Sequence, residues 1–266
     1  GKTRVLTNRI VYLVETIGIF AGQILAITFT NKAANEMKDR VHRLLGDAGR
    51  AVFVSTIHSF CVRVLREDIG VLGWPRNFTV IDSADQKSLI KQAYKQLDMQ
   101  AQQFTYGSMI NYISNNKAAS ITIEHAKTLA GGNPMEKKKA AVYEYYLTKC
   151  DQNYWLDFDD LLLKTVHLLK QSSNTRMKWQ NHFQYLHIDE FQDVDHVQYE
   201  LLKLLKSKTN SVYVVGDPDQ TIYTWRGADV NIILNFEKDF APCETIVLNE
   251  NYRSTPSIIK GANALI

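Results

Sequence analysis

The chain has 266 residues, 45% of them hydrophobic and 22% charged, a globular composition that excludes disorder and leaves room for one large domain or two small ones. No apolar run approaches the ~20 residues of a membrane span, and no signal-peptide pattern opens the chain. Cys61, Cys150 and Cys243 are odd in number and far apart, which fits a reducing cytosol and argues against a disulfide framework or a zinc site.

The net charge of +3 is small, but it is unevenly spread. Residues 1–80 carry 11 Lys/Arg against 6 Asp/Glu, and residues 176–266 carry 9 against 12. A basic opening and an acidic close suggest an anion site and a cation site; scatter is the plain alternative.

The chain opens with GKTR (Gly1–Arg4). Gly-Lys-Thr is the tail of a phosphate-binding loop, in which backbone N–H groups and a helix N-terminus cradle phosphate, the lysine reaches the terminal phosphates and the hydroxyl holds Mg²⁺. ILAITFT (24–30) reads as a buried strand. NKAANEMKDRVHRLLG follows, with Ala33, Met37, Val41 and Leu44 at helical spacing and Gly46 to close the helix. AVFVST (51–56) is a second strand running into a helix. Phe29, Thr30, Asn31, Thr56, His58 and Ser59 fall at the two strand-to-helix turns. There Thr, Ser and Asn can bond nucleic-acid phosphates, and Phe29 or His58 can meet a base, although helix capping and packing are their commoner uses.

From Asp82 to Thr175 the patterns are helical, as in DQKSLIKQAYKQL, AVYEYYLTKC and FDDLLLKTVHLL, with a turn at GGNP (131–134) and no convincing strand. This region reads as an all-helical insertion in an α/β domain. YLHIDE, SVYVVGD and ETIVLNE are three further strand candidates, with the helix VQYELLKLLK between the first two. Short apolar strands separated by helices imply a parallel sheet covered on both faces. The expected organisation is 1–81 and 176–266 as the two parts of one α/β domain, with 82–175 inserted.

A strand ending in Asp189-Glu190 sets Asp189 at the carboxyl edge of a parallel sheet, where open α/β folds bind ligands. Asp189 can hold the Mg²⁺ of a nucleotide, and Glu190 can take a proton from an attacking water. The plain alternative is an acidic helix start, with Asp193 and Asp195 favouring the macrodipole. In GDPDQTIYTWRGAD, Gln220 can bond a γ-phosphate or the lytic water. Tyr223, Trp225 and Arg226 supply aromatic faces beside a cation, equipment for stacking single-stranded bases, unless Trp225 is simply core. In LNENYRST, Arg253 can stabilise charge on a transferring phosphoryl group, Tyr252 can stack on a base, and Ser254 or Thr255 can cap a helix.

Taken in order, GKTR, ITFTNKAANEM, STIHSF, HIDEFQD, GDPDQTIYTWRGA and NYRST resemble the UvrD/Rep/PcrA group of superfamily 1 DNA helicases, and DFDDLL (157–162) adds to the likeness. The resemblance implies a RecA-like P-loop NTPase sheet with an inserted helical accessory domain. It further implies a motor that hydrolyses ATP to move 3′→5′ on single-stranded DNA and unwind duplex in repair or replication. Gly1, Lys2 and Thr3 would hold phosphate, Thr3 and Asp189 Mg²⁺, and Arg4 with Tyr252 the adenine. Glu190 would activate water, and Gln220 and Arg253 would contact the γ-phosphate. Phe29, Asn31, His58, Tyr223, Trp225 and Arg226 would line the single-strand track, and Gln192-Asp193 belong to the Asp189-Glu190 motif.

The resemblance also implies a glycine-rich loop and an adenine-reading glutamine before Gly1, and a second RecA-like domain after residue 266. By itself the chain is expected to fold, stay monomeric and not unwind DNA. Two other readings remain open at this point. One is a metal-dependent hydrolase built on His187, Asp189, Glu190, Asp193 and His196. The other is a module that binds single-stranded DNA and turns nothing over.

Overall fold

The computed structural model describes residues 1–100, 104–224, 227–252 and 254–264. In chain order the elements are α1 (Lys2–Glu15), β1 (Ile24–Thr28), α2 (Asn31–Leu45), β2 (Phe53–Thr56), α3 (Ile57–Asp68), β3 (Thr79–Val80), α4 (Ser83–Gln96), α5 (Tyr106–Ala118), α6 (Ile123–Ala130) and α7 (Pro134–Asn153). They continue with β4 (Trp155–Leu156), α8 (Phe158–Gln171), α9 (Ser173–His182), β5 (Tyr185–Ile188), α10 (His196–Leu205), β6 (Ser211–Val214), α11 (Val230–Leu234), α12 (Phe236–Asp239) and α13 (Pro256–Asn263).

The chain divides into two compact units, one of Gly1–Phe60 with Ser173–Ile266 and the other of Cys61–Ser172. The first boundary therefore falls inside α3, earlier than the sequence suggested. Residues after Cys61 belong with the second unit because β3 pairs in parallel with β4, Thr79 opposite Trp155 and Val80 opposite Leu156. This two-residue ladder also corrects the expectation that the middle of the chain holds no strand. Two residues are too short to show alternation, so no pattern marked it.

In the first unit the sheet order is β2-β1-β5-β6, all parallel. The interior strands β1 and β5 are buried almost throughout, as expected where helices cover both faces. One face packs Leu6, Ile10 and Leu13 of α1 and Met37 and Val41 of α2 against Ile24, Ala26 and Val54. Each such side chain is worth about 1.5–3 kcal/mol on burial. On α2 the buried positions are Ala34, Met37 and Val41, while Leu44 is exposed; the apolar stripe is narrower than the sequence suggested. Thr30 caps α2, its hydroxyl accepting from the Ala33 N–H at 3.1 Å, and Gly46 ends it at φ 59°. Phe60, Trp179 and Phe183 form an aromatic cluster with ring separations near 6 Å.

The candidate strand ETIVLNE is not a strand. Extended backbone is stable in a sheet only when its N–H and C=O groups pair, and among the described residues none pairs with this segment. Ile246 and Val247 stay 72% exposed.

The second unit is helical around Leu89, Ile90, Met109, Ile113, Tyr143 and Tyr146. At its centre lies a buried ionic network. Lys117 Nζ of α5 donates to Asp157 Oδ2 at 2.6 Å and to Asp160 Oδ2 at 2.8 Å. Tyr146 Oη of α7 and Gln86 Nε2 of α4 donate to the same Asp157 oxygen at 2.8 and 3.1 Å. Asp157 and Asp160 also close the capping box of α8. Burial pushes the Asp157 carboxyl up, but Lys117 more than offsets this and holds it below its ordinary value. Four helices thus meet on one fully buried carboxylate.

Removing one partner of a buried pair leaves an uncompensated charge. Lys117→Met is therefore expected to lower the unfolding free energy of this unit by about 3–5 kcal/mol, read as a drop in the denaturation midpoint followed by circular dichroism. An unchanged midpoint would show that the network contributes nothing to the fold.

Candidate active site

Parallel pairing aligns the carboxyl ends of β1, β5 and β6. The Asp189 N–H donates to Ile27 O at 2.9 Å, and the Val215 N–H donates to Ile188 O at 2.9 Å, so the ladder carries the acidic residues to the sheet's edge. The N-terminus of α1 is at the same place. Gly1 caps it with no side-chain acceptor, leaving the Lys2 and Thr3 N–H groups to face an anion.

Three residues far apart in sequence converge there. Lys2 Nζ lies 3.4 Å from Glu190 Oε2 and donates to Gln220 Oε1 at 3.2 Å. Thr3 lies beside Asp189, which is 5% exposed. Burial raises the Asp189 pKa, the Thr3 side chain opposes the rise and the neighbouring Glu190 charge adds to it. A carboxylate destabilised in this way is suited to a cation. Glu190 has a left-handed backbone at φ 51°, a conformation uncommon outside glycine and frequent at functional sites.

Gln192, which the sequence marks only as a letter of the acidic motif, is a hub in the structure. It is 2% exposed. Its Nε2 donates to Glu190 Oε2 at 2.9 Å and to Asp193 Oδ2 at 3.3 Å, and its Oε1 accepts from the Asp217 N–H at 3.1 Å. Gly216 packs closely beside it: a Cβ there would stand 3.0 Å from Gln192 Oε1 and 2.6 Å from Ile233 Cδ1, so a side chain would need both neighbours to shift. Asp217 Oδ2 accepts from Gln220 Nε2 at 2.6 Å.

A second group of residues adjoins the first. The rings of Phe29 and Tyr223 stack with centroids 4.7 Å apart. The loop carrying Tyr223 is tied to the acidic motif: Asp193 Oδ1 accepts from the Ile222 N–H at 3.4 Å, and Asp195 bridges Ala228. Asn31 is exposed at the first turn of α2, and His58 is half-buried. The His58 charge reaches Asp195, whose pKa is raised chiefly by burial. Asp195 caps α10, its Oδ1 accepting from the Gln198 N–H at 2.8 Å.

The UvrD/REP helicase N-terminal domain family matches residues 1–241. The chain belongs to this family. Two relatives, each described as ATP-dependent DNA helicase PcrA, come from Staphylococcus aureus and Staphylococcus epidermidis; both are 47% identical over all 266 residues. The chain spans 36% of the length of these relatives. Its parallel sheet and covering helices are those of a RecA-like motor domain, as the sequence implied.

Some expected residues of this UvrD/REP domain are not brought into the cluster. Arg4 is exposed on α1, and Tyr252 is 83% exposed with its hydroxyl donating to Glu250. Tyr252 follows the unpaired segment 244–250, which is why no sheet edge carries it inward. Trp225, Arg226 and Arg253 lie outside the described residues.

The metal-hydrolase ligand set does not assemble. His187 is buried beside Tyr213 at a ring separation of 5.6 Å, and burial together with Arg9 lowers its pKa to about 3. His196 instead pairs with Asp229 at 3.1 Å. Among the described residues no three His, Cys, Asp or Glu side chains are grouped to hold a metal.

The Phe29–Tyr223 stack presents aromatic surface at the edge that bears the acidic motif. Tyr223→Ala is expected to weaken single-stranded oligonucleotide binding by about 1–3 kcal/mol, with nucleotide affinity unchanged, as measured by fluorescence anisotropy. Unaltered oligonucleotide affinity would place the strand elsewhere.

Proposed function

We propose that this chain is the first motor domain of an ATP-dependent DNA helicase. In this reading it hydrolyses ATP to move 3′→5′ along single-stranded DNA and to open duplex at a junction, in DNA repair or replication in a bacterial-type cytoplasm. The observation that carries the reading is the convergence of Lys2 Nζ on Glu190 and Gln220, a cation, a base and an amide brought together at the N-terminus of α1.

Gly1 and the first turn of α1 would receive phosphate oxygens, with Lys2 on the terminal phosphates. Thr3 and Asp189 fit Mg²⁺, which takes one or two protein oxygens together with phosphates and waters. When bound, Mg²⁺ neutralises charge developing on the phosphates. Glu190 accepts a proton from the attacking water. Its Oε2 is held by Lys2 and Gln192, and its other carboxylate oxygen has no hydrogen-bond partner among the described residues. Gln220 senses the γ-phosphate, Arg253 stabilises its transfer, and Arg4 with Tyr252 stacks on the adenine.

The strand would run along Phe29, Asn31, His58, Tyr223, Trp225 and Arg226. A second RecA-like domain of the same longer protein would supply the opposing wall of the cleft, because directed movement needs two states that nucleotide distinguishes. Residues 82–175 would serve as its accessory insertion. By itself this chain, as a monomer, would bind single-stranded DNA weakly and not displace a strand.

Glu190→Gln keeps the size and the hydrogen bonding but removes the base. In the complete protein it is expected to lower single-strand-stimulated ATP turnover by about 10² or more while leaving Mg²⁺–ATP binding intact. Turnover within a few-fold of the parent would remove Glu190 from the reaction.

A further inference from the structure

We propose that Gln192 is a positioning residue that reports the state of the loop at 217–223 to the Glu190 carboxylate, so that strand engagement at Tyr223 sets the orientation of the base. The inference rests on the reading of Glu190 as the water-activating base and of Tyr223 as a strand contact.

The left-handed backbone of Glu190 at φ 51° costs about 1–3 kcal/mol and persists only where its surroundings over-determine it. Two groups hold its side chain, and both act on Oε2: Lys2 Nζ at 3.4 Å and Gln192 Nε2 at 2.9 Å. The Lys2 contact changes when a phosphate competes for the ammonium. The Gln192 contact is internal to the protein, and it leads from the carboxylate to the loop at 217.

Its far end is anchored in the loop. The single Gln192 carboxamide accepts from the Asp217 N–H at 3.1 Å and donates to Asp193 at 3.3 Å, and Asp193 in turn holds the Ile222 N–H at 3.4 Å. The next residue, Tyr223, stacks on Phe29 at 4.7 Å. A shift of Tyr223 therefore draws on Asp193, and a shift at Asp217 draws on the carboxamide oxygen. Both turn the amide that grips Glu190. Gly216 lets the loop backbone pass close to Gln192, since a Cβ there would stand 3.0 Å from its Oε1 and 3.2 Å from its backbone nitrogen. A buried amide with this closed set of partners has little freedom to relax independently.

The test measures ATP turnover by the complete protein with and without saturating oligo(dT). Gln192→Met preserves volume and removes all three hydrogen bonds. KM for ATP and oligo(dT) affinity are expected to stay within about twofold while the ratio of stimulated to unstimulated turnover falls about tenfold or more, a split that a merely structural defect would not give. Combined with Tyr223→Ala, the ratio is expected to fall no further than in the lower single variant, because coupled sites are non-additive.

Multiplicative losses, or a ratio in Gln192→Met equal to that of the parent, overturn the proposal. If Gln192→Met fails to fold by circular dichroism, Gln192→Glu decides. It retains an acceptor for the Asp217 N–H but loses both donors, and the same collapse of the ratio is expected; a parental ratio again overturns the relay. A parent protein with no stimulation at all overturns the helicase reading itself, and this inference with it.

Discussion

Parallel pairing is the constraint on which the rest depends. With β5 held between β1 and β6 in register, Ile188 opposite both Ile27 and Val214, all three chains must leave the sheet at one edge. The residues just past the strand ends, Phe29, Asp189-Glu190 and Gly216-Asp217, are brought to one edge by that pairing. The ladder is built from buried apolar residues, so the energy that positions the polar groups is largely hydrophobic. This permits Asp189 to be held buried with its carboxyl pKa raised, and Glu190 in a left-handed backbone.

The edge carries two neighbouring groups, a polar one around Lys2, Asp189, Glu190 and Gln220 and an aromatic one around Phe29 and Tyr223. They are joined through Gln192, Asp193 and Asp217, and no flexible linker separates them. A nucleotide site and a strand site so connected share one rigid framework, and a ligand affects the other site only through its differential contacts with two states of that framework. The second unit has its own core and its own buried network at Asp157.

Much of this was legible in the sequence. Continuous apolar runs marked β1, β2 and β5 because buried parallel strands need no alternation, and acids at the run's end marked the carboxyl edge of the sheet. Asp195 and Thr30 take the helix-start role that the sequence left as the plain alternative, since capping is local chemistry. Non-local features were not legible. The pairing of Thr79–Val80 with Trp155–Leu156 joins two-residue segments separated by four helices. ETIVLNE has strand propensity, yet propensity is realised only when a neighbour pairs with it. Lys117 reads as an ordinary surface lysine until α5 carries it onto Asp157. Gln192 was visible as a letter of its motif, but its link to Asp217 depends on a tertiary contact across β5 and β6.

The central claim is that Lys2, Thr3, Asp189, Glu190 and Gln220 surround one nucleotide phosphate. A crystal structure of the complete protein with Mg²⁺ and a non-hydrolysable ATP analogue tests it directly. The account predicts the γ-phosphate against Lys2 Nζ and Gln220, with the metal against Thr3 and Asp189 and Glu190 facing the phosphorus. A nucleotide bound away from α1, or a metal held by His187 or His196, would contradict it.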